Sequence, residues 1–154
     1  MTNRTMDGNT TFPRLFTVDE AKELLPTLRP LIEQILENLR RLKSTSEKVI
    51  RTRQIDPDAP DLMEQLKRDD EITRLVGELK NCVDKINGYG CICKGVEQGL
   101  IDFPCLFGDE VVFLCWQIGE ADVSHWHRIE DGFAGRKPLL DSDGFDPGAK
   151  ASYH

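Results

Sequence analysis

Two of the three histidines in the chain stand at i and i+2, in Ser124-His125-Trp126-His127. On a strand that spacing puts His125 and His127 on one face, where two imidazoles can share a divalent metal. Asp102, Glu120, Cys105 or Cys115 would complete a set of four ligands if their strands pair alongside. The competing reading makes His127 a hydrogen-bonded histidine packed beside Trp126 and His125 a surface residue. H-x-H without its remaining ligands has little specificity of its own, and no other cofactor is indicated.

Downstream, Asp131-Gly-Phe-Ala-Gly-Arg-Lys-Pro138 combines backbone freedom with a guanidinium. Glycines let amides approach a ligand, and Arg136 can fork onto a carboxylate or phosphate. The stretch lacks the Gly-Lys-Ser/Thr ending of a phosphate loop, and Arg136 has Asp102, Glu120 and Glu130 as alternative partners. Cys91-Ile92-Cys93 is too closely spaced for a usual structural zinc pair, and no second such pair follows it. Cys82, Cys105 and Cys115 sit at apolar positions and read as small buried hydrophobes. Asp141 to Asp146 resembles a calcium loop only superficially and reads as solvated coil. Polar and aromatic chemistry therefore concentrates in Asp102, Trp116, Glu120, Trp126, His127 and Arg136, the candidate ligand-binding set. No catalytic triad or carboxylate pair emerges, so no reaction is assigned.

These side chains must be positioned by a chain of 154 residues with a net charge of −7, 39% hydrophobic and 31% charged. The balance is that of a folded domain, and its acidity argues against binding nucleic acid through a basic surface. No apolar run reaches the ~18 residues of a membrane span, and the polar N-terminus lacks the apolar core of a signal peptide. Five cysteines without such a signal suggest free thiols and a cytoplasmic protein.

Thr17 to Glu20 spells a capping box, and apolar residues follow at Ala21, Leu25, Leu28, Ile32, Ile35, Leu39 and Leu42. Steps of three and four are the rhythm of a coiled-coil seam. Pro26 and Pro30 predict a bend or a division into two helices. Ser44 and Glu47 mark a further break, unless the helix runs on to about Arg53. Two prolines and three aspartates between Ile55 and Asp61 end it. A second helix is expected from Asp61 to about Ile86, stopped by Asn87-Gly88. The basic run Arg40–Arg53 and the acidic run Asp56–Glu71 would then lie side by side and neutralise each other.

After Gly88, three strands are expected. These are Leu100 to Leu106, with Pro104 at an edge or bulge, then Glu110 to Ile118 and Val123 to Ile129. The predicted fold is α+β: a long antiparallel, coiled-coil-like helical hairpin (17–87) packed with a small three-stranded antiparallel sheet in a β half (88–139). Together these form one domain over 15–139, between a flexible extension (1–14) and a flexible tail (140–154).

Phe16 to Leu31, Gly99-Leu-Ile-Asp-Phe-Pro104, Leu114-Cys-Trp116 with Gly119-Glu120, and Trp126-His127 with Gly132 to Arg136 form a distinctive set. In these motifs the chain resembles the bacterial family catalogued as domain of unknown function 2203, over about Phe16 to Pro138. The resemblance implies a small cytoplasmic prokaryotic protein and carries over no activity or catalytic residue. His125, Cys91 and Cys93 fall outside the pattern.

Two functions are compatible with these features. The first is a non-enzymatic interaction or scaffold protein, homodimeric through a helical stripe too wide for its own sheet and hairpin to cover. The second is a small-molecule or metal-binding domain, or an enzyme, with its site around Asp102, Trp126, His127 and Arg136.

Overall fold

The computed structural model describes residues 4–6 and 10–139. The tail expected over 140–154, with its Asp141 to Asp146 segment, lies outside the described residues. Within the expected N-terminal extension, β1 (Arg4–Met6) and β2 (Thr10–Phe12) pair as an antiparallel ribbon.

A single helix, α1 (Val18–Arg53), follows. Its capping box is formed: Thr17 Oγ1 accepts from the Glu20 N–H at 3.1 Å, and Glu20 Oε1 accepts from the Thr17 N–H at 2.9 Å. Pro26 and Pro30 lie inside α1 and do not divide it. Both are exposed, so the carbonyls they leave without a helical donor face water. The helix also passes through Ser44 and Glu47 and ends at Gln54, which adopts φ 53°.

The expected second helix is in fact two, α2 (Leu62–Leu66) and α3 (Asp70–Gly88). Asp69 explains the break, because its carboxylate caps α3 by accepting from the N–H groups of Glu71 and Ile72. α1 and α3 touch at Asn38–Glu78, Arg41–Glu71 (3.2 Å) and Arg53–Asp69 (3.1 Å). Rising numbers on one helix thus meet falling numbers on the other, and the latter two bonds link the basic run to the acidic one.

The three-strand expectation is corrected by an antiparallel sheet of five strands in the order β3-β4-β5-β6-β7. They are β3 (Ile92–Gly95), β4 (Leu100–Phe107), β5 (Glu110–Gln117), β6 (His125–Arg128) and β7 (Lys137–Pro138). The added outer strands are four and two residues long, too short for a period-2 pattern to stand out. Pro104 sits past the end of β3, where β4 has no second neighbouring strand; its carbonyl accepts instead from the Phe16 N–H. The fold is therefore α+β, with a long helix against an antiparallel sheet.

Packing follows the strand alternation. Ile101, Phe103 and Cys105 of β4, Val112, Leu114 and Trp116 of β5, and Trp126 of β6 join Leu25, Leu28, Ile32 and Ile35 of α1 and Ile86 of α3 in the main core. On the opposite sheet face Val111 and Phe113 pack with Phe12 in a smaller cluster. Phe12 meets the Phe113 ring edge-on at 5.6 Å. Among the described residues, no helix is long and apolar enough to cross a membrane.

Candidate functional site

Strand register brings the site together on the sheet face turned away from the helices. Asp102 of β4 stands opposite Cys115 of β5, while Phe113 of β5 stands opposite His127 of β6. Directly paired residues share a face, and so do residues two apart, which places Asp102, Cys115 and His127 side by side. All three are buried, and their ligand-type atoms lie within 4.8 Å of one another.

His127 is held from both ends. Its Nδ1 lies 2.7 Å from the Arg128 carbonyl oxygen. A carbonyl only accepts, so Nδ1 carries a proton and Nε2 is aimed across the strands. Nε2 lies 3.3 Å from each carboxylate oxygen of Asp102. Both residues are 3% exposed. Burial pulls the imidazole pKa down, but the hydrogen bonds to Asp102, Cys115 and the Arg128 carbonyl, with the charge of Asp102, outweigh it and push the value up to about 10.

A pocket of about 110 Å³ opens onto the trio, lined also by Lys94, Leu100, Ile129, Gly132 and Phe133. Its outer wall is the turn Phe133–Gly135, preceded by Gly132 at φ 67°, a conformation that glycine adopts without strain. This turn also delivers Arg136, whose guanidinium lies 4.5 Å from the Phe133 ring centroid and whose Nη1 donates to Cys115 Sγ at 3.7 Å. Arg136 further forms a two-bond ion pair with Glu120. Partial burial raises the Glu120 carboxyl, yet the bonds from Arg136 and the Gln117 N–H and the neighbouring positive charges hold it below its ordinary value.

The six sequence candidates thus divide. Asp102 and His127 line the pocket, with Arg136 and Glu120 forming a polar bridge beside it. Trp116 and Trp126 stand on the helix-facing side of the sheet, in the main core. The Trp116 indole N–H donates to the Glu120 carbonyl at 3.0 Å. Alternation already separates Trp116 from Cys115 and Trp126 from His127, a signal present in the sequence. His125 shares the His127 face but is turned toward Ser124 and Glu120, with its Nδ1 3.0 Å from Ser124 Oγ and 3.6 Å from Glu120 Oε2.

Of the cysteines offered as further ligands, Cys115 joins the trio and Cys105 lies in the core on the other face, its thiol pushed up to about 12 by burial. All five cysteines are free thiols. Cys91 turns inward to donate to the Ile86 carbonyl at 3.2 Å, and burial pushes its pKa up to about 12. Lys94 and Ile129 went unrecognised in the sequence. Lys94 was hidden beside the Cys91–Cys93 pair, and Ile129 looked like an ordinary strand end.

The model of the family described as an uncharacterized conserved protein, DUF2203, matches residues 14–139, and the chain belongs to that family. Neither the curated proteins nor the solved structures contain a significant match to the chain.

Proposed function

We propose that this member of the DUF2203 family is a binding domain for a ligand of only a few atoms, taken up in the pocket beside Asp102, Cys115 and His127. The observation that carries the reading is the convergence of a buried carboxylate, thiol and imidazole at the floor of one pocket. A buried ionic pair contributes little net stability, since apolar residues of equal volume commonly do as well. A buried carboxylate, thiol and imidazole brought together at one pocket therefore support a use beyond folding. At about 110 Å³ the pocket is smaller than the ~300 Å³ lower range of drug-sized ligand sites, which limits its occupant.

Native mass spectrometry of the full chain, purified without a histidine tag or added metal, tests this. A retained mass in the wild type that disappears in His127→Ala is expected. A bare wild-type chain, or a bound mass that the substitution leaves in place, would count against the pocket.

A second reading retains self-association of a non-enzymatic scaffold through a coiled-coil-like helical hairpin. Leu24, Leu31, Leu36 and Leu39 support it, because they stay only half-buried on α1 after α3 and the sheet have packed. Against a large seam, the exposed large hydrophobic residues among those described are Met63, Tyr89 and Phe133, none of them on α1. Analytical ultracentrifugation separates the two: a homodimer is expected from this reading, and a stable monomer at high micromolar concentration removes it.

A further inference from the structure

We infer that Asp102, Cys115 and His127 are three protein ligands of a borderline divalent ion of the zinc type, with the fourth coordination position open to the pocket. The inference rests on the pocket reading above and names its occupant.

Geometry is the first argument. Zn–N and Zn–O bonds of ~2.0 Å at a tetrahedral angle place the two ligand atoms ~3.3 Å apart. His127 Nε2 lies 3.3 Å from both oxygens of Asp102. That is long for a charge-assisted hydrogen bond, whose usual range is ~2.7–2.9 Å, and the two oxygens are equidistant from Nε2. Cys115 Sγ falls within 4.8 Å of both partners. A Zn–S bond of ~2.3 Å asks for ~3.5 Å, so from a limit of 4.8 Å the sulfur has to move inward by at most about 1.3 Å.

The surroundings are those of a supported metal ligand set. The Nδ1–H of His127 donates to the Arg128 carbonyl at 2.7 Å, which fixes the ring with Nε2 as its coordinating atom. Arg136 Nη1 donates to Cys115 Sγ at 3.7 Å, which sets a guanidinium beside the sulfur and orients it within the trio. With a divalent cation bound, an aspartate and a thiolate together balance its charge, and the imidazole and thiol release their protons as they coordinate, so His127 adds none. Mixed nitrogen, oxygen and sulfur donors suit zinc and disfavour magnesium or calcium, which require oxygen. Lys94 and Phe133 at the pocket wall then frame the fourth position for a water or a small anion.

Cobalt(II), added to the purified full chain, is the probe. Tetrahedral binding is expected to give intense visible bands with a near-ultraviolet sulfur-to-cobalt charge-transfer band. In Cys115→Ser, a near-isosteric change, the charge-transfer band should vanish and affinity should fall on the order of ten-fold or more. Circular dichroism checks that this variant is folded; Asp102→Asn, which keeps the side-chain shape, should weaken binding without removing the sulfur band. A wild-type spectrum that stays that of aqueous cobalt, or a charge-transfer band that survives Cys115→Ser, overturns the inference. If cobalt fails while native mass spectrometry shows an organic mass dependent on His127, the pocket reading stands without a metal. If neither binds, both fall.

Discussion

β5 shows two different surfaces to the rest of the protein. Toward the helices, Val112, Leu114 and Trp116 enter a large core shared with α1 and α3. Away from them, Val111 and Phe113 pack with Phe12 and a few half-buried neighbours, Phe113 also meets the His127 ring edge-on at 5.6 Å, and Cys115 stands beside Asp102 and His127. The first face is held by many weak, undirected contacts, so the loss of one group is graded by the area and cavity it leaves. The second depends on a few directed bonds, where removing one partner strands another in a dry environment. One face is a continuous apolar core; the other sets a buried carboxylate, thiol and imidazole beside a smaller apolar cluster.

This contrast can be broken most strongly at Phe103, which is fully buried and packs edge-on against Phe16 at 5.3 Å. Phe103→Ala is expected to cost about 4 kcal/mol in urea unfolding. A loss below about 1 kcal/mol would mean that the helix-facing core is loosely packed.

On the other face, His127→Ala leaves Asp102 buried without its partner and is expected to cost about 3 kcal/mol. The same residue gives a pH signature in metal-free protein. Its folded pKa is raised, so its contribution is fully present below the ordinary histidine value of about 6.5. That contribution is lost as pH rises through about 10. Unfolding followed from pH 6 to 11 should show this loss in the wild type and not in His127→Ala; parallel curves would refute the pairing.

The smallest effects belong to the helix tip. Arg53 is half exposed in its pair with Asp69, and Arg53→Ala should cost less than about 1 kcal/mol. Asp69→Ala removes the α3 cap as well and should cost about 1 kcal/mol more. Equal losses in thermal melts would show that the cap contributes nothing beyond the ion pair.

Much of this was legible in local residue patterns. The Thr17–Glu20 capping box, the buried stripe from Ala21 to Ile35 and the strong β5 segment follow from interactions between residues a few positions apart. The break between α2 and α3 was also encoded locally, in Asp69, but Leu62 and Leu66 before it and Ile72 and Leu75 after it, at near-helical spacing, masked it. β3 and β7 were invisible because four- and two-residue strands are defined by the partners they bond, and their own patterns say little.

Candidate chemistry was partly legible in the same way. Asp102 and His127 stood out as polar residues in apolar strands, whereas Cys115 read as a small buried hydrophobe and both tryptophans were counted with the site although alternation turns them to the opposite face. The meeting of the trio was not local, since residues 102, 115 and 127 approach only when β4, β5 and β6 adopt one register. A shift of one residue would turn each of them over to the helix side. The sequence by itself determined the α+β composition, the helix start and which residues can ionise or ligate. Only the tertiary structure decided which of them share a pocket, because register and burial depend on pairings between distant segments, and those pairings set both the distances and the dielectric surroundings.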